Sequence, residues 1–133
     1  QLEFFIHSKF KVCFIHCVRA WNDIQKAFKD KSNSLVNKFF ILHDFNASAS
    51  EFEQLLKNPN LYFSLGQNFL RPQSKIHQYL DKIPHNRLFF ETDDSGNDIT
   101  VPYNEYSVRT GIKLDQLQQV ILSNYHHLFT LTT

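Results

Sequence analysis

Apolar positions in this chain fall into short runs that stop on chemically capable residues. KVCFIHC reaches His16, KFFILH ends at His43 and RLFFETD ends at Asp93. Each run is aromatic or β-branched and begins beside a Lys or Arg, which predicts buried strands. A further run, LYFSLG, predicts a strand closing on Gly66, where a missing Cβ would let backbone approach a ligand. Between the runs the apolar residues take helical spacing. Trp21, Ile24 and Phe28 mark a helix over residues 20–29, and Phe52, Leu55 and Leu56 mark one starting near Ser48 or Ser50, with Glu51 and Glu53 in its first turn. Ile76, Tyr79, Leu80 and Ile83 predict a third, opened by Pro72 or Ser74 and stopped before Pro84. After a polar loop over residues 94–100, a helix is expected around residues 103–110, with Gly111 as its C-cap. The last segment sets Leu114, Leu117, Val120, Ile121, Tyr125, Leu128 and Phe129 on one side, as for a helix packed outside a sheet.

The resulting order, β-α-β-α-β-α-β, predicts an α/β fold of parallel strands covered by helices, either doubly wound or part of a (β/α)8 barrel. Four strands are half of a barrel that usually takes about 250 residues. The chain has 133 residues and 42% hydrophobic content, enough for a single domain over residues 1–133 with its own core. It opens on Gln1 and contains no Met, so it is expected to be a fragment, the C-terminal part of a barrel whose N-terminal strands are missing. No apolar run is long enough to span a membrane. Residues 1–10 lack the features of a secretory signal, which makes the cytoplasm the expected location. Net charge is +1 with basic residues scattered, so charge alone points to no nucleic-acid partner. Cys13 and Cys17 lie about 13 Å apart along a strand, beyond the roughly 7 Å that a disulfide allows, and suit a reducing compartment.

Strand ends are where parallel α/β folds build sites. His16 shares a face with Phe14 and Val12, and Glu91 and Asp93 share one with Phe89. Imidazoles with carboxylates suit Zn, Mn, Fe or Mg, and such an ion lowers the pKa of a bound water enough to make hydrolysis the simplest chemistry. A lone strand-end histidine is more often a satisfied core residue, and an E-T-D strand end often just accepts hydrogen bonds. Three such endings separated by helices point instead to a shared site.

The blocks QLEFF, IHCVRAW, ILHDF, YFSLGQNF, RLFFETDDSG and TGIKLDQLQQVILSNYHHLF, in this order and spacing, resemble the C-terminal half of the TatD family of metal-dependent hydrolases, the TatD-related deoxyribonucleases. The resemblance implies that His16 and His43 are metal ligands. Asp93 would be the aspartate that binds metal and handles the proton of the attacking water, and Glu91 its supporting carboxylate. It further implies one or two divalent ions (Zn, Mg or Mn) and a DNA or small phosphoester substrate. The family's upstream His-x-His pair and Glu are not found in this chain. His43-Asp44-Phe45-Asn46-Ala47 departs from the usual pattern, so Asp44 and Asn46 are expected to change the metal's surroundings. Arg19, three residues past His16, is expected to bind a substrate phosphate or carboxylate through its planar fork, the alternative being a surface residue at a helix start. The short DDSGNDI segment suggests a compact subgroup. Phosphodiester hydrolysis at a divalent-metal centre is the function so implied. Its alternatives are hydrolysis of another small ester, amide or phosphoester at the same centre, and a non-catalytic barrel fragment serving as a binding module. Oligomeric state is not legible.

Overall fold

The computed structural model describes residues 2–130. A short helix α1 (Leu2–His7) leads into β1 (Val12–His16), α2 (Trp21–Asp30), β2 (Phe39–His43), α3 (Ala49–Leu56), β3 (Leu61–Leu65), α4 (Gln67–Leu70), β4 (Leu88–Phe90), α5 (Thr100–Thr110) and α6 (Leu114–Thr130). The strands form one four-stranded sheet in the order β1-β2-β3-β4, every pair parallel. The predicted strand and helix alternation is therefore present, as an open parallel sheet.

Alternation along each strand divides the side chains between two faces. Phe40, Leu42, Leu61, Phe63, Leu65 and Leu88 point outward into the main core, where α2 adds Trp21 and Phe28 and α3 adds Phe52 and Leu55. Rings interlock there: Phe45 meets Trp21 and Phe63 edge-on, and Phe52 stacks on Tyr79 at 4.4 Å. On the inner face Ile41 and Tyr62 pack with Leu128, joined by Val12, Phe39, Phe89 and Phe129.

Local chemistry explains most boundaries. Ser48 caps α3 in a reciprocal box, accepting from the Glu51 N–H while Glu51 accepts from the Ser48 N–H at 2.8 Å. Gly111 ends α5 at φ 76°, where a side chain would be strained. Arg87 fixes the start of β4 by donating to the carbonyls of Leu61 and Leu56 at 2.6 and 3.1 Å, its guanidinium lying over the Phe63 ring.

Four expectations are corrected. The helix expected to start at Pro72 or Ser74 is instead two 3-10 turns, Lys75–Gln78 and Leu80–Lys82, with a third, His85–Arg87, after Pro84. Its apolar residues are buried as predicted, but Tyr79 leaves helical geometry (φ −139°) and anchors its hydroxyl on the Ala47 carbonyl at 2.6 Å. RLFFETD contributes only Leu88–Phe90 to the sheet, so Glu91 and Asp93 lie beyond the strand and their placement does not follow from alternation. Helix α5 begins at Thr100, earlier than expected, because Asp98 accepts from the Thr100 N–H and Pro102 suits a first turn. Helix α6 is not confined to the outside: Leu117 joins the outer core, whereas Leu128 reaches Ile41 and Tyr62 on the inner face. Asn124 makes that crossing possible by donating to the carbonyls of His85 and Leu88 beneath β4.

Candidate active site

β1 and β2 pair so that His16 stands opposite His43, each the last residue of its strand. Both imidazoles emerge at the same height on the inner face, with Nδ1 atoms 3.1 Å apart and rings inclined at 54°. That separation is a hydrogen bond when one nitrogen carries the proton. It is also close to the ~3.3 Å expected between two nitrogens each about 2.0–2.1 Å from one tetrahedral ion.

Glu91, directly past β4, occupies the floor beside His43. Its Oε1 lies 2.9 Å from His43 Nε2 and accepts the Asp44 N–H at 3.1 Å, while Oε2 accepts the Ser64 hydroxyl. Burial pushes its carboxyl above the usual range, and the hydrogen bonds from Ser64 and Asp44 and the nearby His43 act against that shift. Glu91 thus contacts His43. Asp93 has its carboxylate more than half exposed, 3.9 Å from His43 Nε2.

Among the described residues no three His, Cys, Asp or Glu side chains form a group able to hold a metal ion. The geometry shows why. His16 faces His43 across the Nδ1 edge of the ring, whereas Glu91 and Asp93 lie toward its Nε2 edge, so the donors do not converge on one point. The two histidines fit as a pair of donors, and a third is not supplied by these residues.

Asp44 turns to Asn68, and Arg19 stands at the surface. Asp44 accepts from the Asn68 N–H at 2.8 Å and from Asn68 Nδ2 at 2.6 Å, clasping the β2 loop to the start of α4. Its backbone N–H holds Glu91. Arg19 is exposed, without a side-chain partner among the described residues. Arg19, Asp44 and Asp93 are the non-glycine residues at positive φ among those described (59°, 43° and 46°), and each lies just past the end of β1, β2 or β4. Left-handed backbone costs on the order of 1–3 kcal/mol at such positions and concentrates at functional rims.

Sequence reasoning missed Ser64 and Asn68. Ser64 is 3% exposed, the one small polar residue in the run LYFSL, and that interruption was the available signal. Gly66 was foreseen as a place of close approach, but to a side chain: a Cβ there would lie 2.8 Å from Glu91 Cγ and 3.1 Å from Asp44 Oδ1.

A sequence model described as "TatD related DNase" matches residues 8–130. The chain belongs to the TatD family. Its α/β fold is also that of a TatD family hydrolase from Entamoeba histolytica, at 17% identity and TM-score 0.69, covering 89% of this chain and 50% of that one. An amidohydrolase from Saccharomyces cerevisiae, described as uncharacterized, matches at 15% identity and TM-score 0.68, covering 87% of this chain and 53% of that one. No curated protein matches. The chain therefore spans about half the length of these two solved structures, and its four parallel strands with their helices correspond to that share of the barrel. None of its described helices is long and apolar enough to cross a membrane.

Proposed function

We propose that this TatD family hydrolase domain contributes the C-terminal ligands of a divalent-metal centre that hydrolyses phosphodiester bonds in DNA. The observation that carries the reading is the in-register pairing of His16 and His43 at the C-terminal ends of adjacent parallel strands, with Nδ1 atoms 3.1 Å apart. His16 and His43 would hold the ion as a pair, with the Asp93 carboxylate 3.9 Å from His43 Nε2 at the β4 end of the same rim. A bound divalent ion (Zn, Mg or Mn) would supply a water acidified toward neutral pH. Glu91 fixes the ring of His43, and the exposed carboxylate of Asp93 is placed to accept a proton at the rim. Arg19, whose backbone turns sharply after β1, offers a free guanidinium for a substrate phosphate.

The test is elemental analysis of the purified protein together with a DNA cleavage assay with and without a chelator. Bound divalent metal and chelator-sensitive cleavage support the reading, and His43→Ala or Asp93→Asn should then lower the rate by orders of magnitude with the fold intact. Near-normal turnover in both variants sinks the assignment. The second reading, a non-catalytic binding module, is favoured by the lack of a third converging donor among the described residues. A folded, metal-free and inactive protein would select it. Activity on a small ester or amide without activity on DNA would move the substrate and keep the centre.

A further inference from the structure

We infer that Asn68 is a positioning residue: it clasps the Asp44 carboxylate, holds that residue in a left-handed turn and so directs the Asp44 N–H at Glu91. This role deepens the proposed function and rests on it for its catalytic consequence, whereas the turn itself is a property of the fold. β2 runs extended to His43, and Asp44 breaks from it at φ 43°, a conformation that side-chain-bearing residues avoid and that Asp tolerates better than most. On leaving the strand the chain makes two anchoring bonds. The Asp44 N–H donates to Glu91 Oε1 at 3.1 Å, and the Phe45 N–H donates to the Ser64 carbonyl at 2.9 Å. A turn relaxed to ordinary backbone would swing the first of these donors away from Glu91.

Asn68 supplies the grip. Its N–H, in the first turn of α4 where backbone donors lack helical partners, meets Asp44 Oδ1 at 2.8 Å. Its Nδ2 meets Asp44 Oδ2 at 2.6 Å and the Asp44 carbonyl at 3.4 Å. One residue thus holds both carboxylate oxygens and the carbonyl of the other. All three are acceptors, so the Asn68 amide must present its NH2 group inward; turned over, it would set one oxygen against another. Gly66 leaves room for the clasp and for Glu91 together, since a Cβ there would lie 3.1 Å from Asp44 Oδ1 and 2.8 Å from Glu91 Cγ. Glu91 Oε1 in turn lies 2.9 Å from His43 Nε2. The contacts Asn68 to Asp44, Asp44 to Glu91 and Glu91 to His43 therefore join the start of α4 to the candidate site.

Amide hydrogen exchange of the isotope-labelled, metal-free protein, read by NMR, reports the turn, and steady-state DNA cleavage with added divalent ion reports its consequence. In the wild type the Asp44 amide should be protected. Asn68→Ala should speed exchange at position 44 by about tenfold or more relative to the rest of the protein. It should also lower kcat by about 10- to 100-fold, the usual effect of losing a supporting contact, with KM changed by less than about twofold. Glycine takes positive φ without a clasp, so in an Asp44→Gly background the further change Asn68→Ala should alter neither quantity by more than about twofold. A lower unfolding midpoint in Asn68→Ala, with exchange at position 44 and kcat both at wild-type values, marks a purely structural contact and overturns the inference. Equal damage by Asn68→Ala in the Asp44→Gly background overturns it as well. An unprotected Asp44 amide in the wild type does so even if no variant folds. Exchange at position 44 as inferred with no hydrolysis by the wild type would remove only the proposed function. Chelator-sensitive hydrolysis at full kcat in folded Asn68→Ala would remove only the positioning role.

Discussion

Gly66 is the residue whose replacement most directly disturbs the site. A methyl group there would meet Glu91 Cγ at 2.8 Å, and Glu91 cannot swing aside without giving up Ser64, Asp44 or His43. Gly66→Ala should cost about 1–3 kcal/mol, the usual scale of overpacking, measured by chemical denaturation, and should weaken hydrolysis in the same protein. Tyr79 and Tyr106 make a contrasting pair. Tyr79 donates to the Ala47 carbonyl, whereas the Tyr106 hydroxyl is buried with no partner. Tyr79→Phe should therefore destabilise by about 1 kcal/mol, while Tyr106→Phe should be neutral or stabilising. Burial pushes Tyr106 up to about 12 and Tyr79 higher still. A raised phenol favours the neutral form in the folded state, so its contribution is intact below the ordinary value near 10 and is lost as pH rises through the folded values. Folding free energy should fall from about pH 10 upward, and Tyr106→Phe should flatten that fall.

At the scale of the element, α3 shows local and tertiary information in agreement. Its capping box was written in the residues Ser48 and Glu51, and the helix starts where they put it. Ser48→Ala should cost about 1 kcal/mol in thermal or denaturant unfolding. The hydrogen bonds from the backbone and hydroxyl of Ser48 hold Glu51 below the usual carboxylate range, so this stabilisation is present above the unfolded value and fades as acid protonates Glu51 in the fold. The segment around Tyr79 shows the opposite outcome. Its apolar spacing promised a helix, yet burial of Ile76, Tyr79, Leu80 and Ile83 is met by successive 3-10 turns, because a tyrosine hydroxyl anchored on a distant carbonyl outweighs local helical preference. Likewise, RLFFETD reads as one long strand, but β3 offers pairing only from Phe63 to Leu65, and beyond Phe90 the chain is drawn to His43 and Ser64.

For the whole molecule, an open parallel sheet presents two strand-end imidazoles at one rim, and a divalent ion held there would bind the folded state alone. Added zinc or manganese should therefore raise the thermal midpoint, and the rise should vanish in His16→Ala and His43→Ala. An equal rise in both variants would place the bound ion elsewhere. The sequence alone determined the α/β class, the succession of four strands along the chain and the placement of His16 and His43 at strand ends, because apolar periodicity and chain punctuation are properties of neighbouring residues. Only the tertiary structure decided that Glu91 serves His43, that Asp44 clasps Asn68, and that α6 crosses to the inner face. Those outcomes join residues far apart in the chain, Asp44 to Glu91 across 47 positions and Asn124 to Leu88 across 36, and no local pattern encodes which distant acceptor a donor will meet.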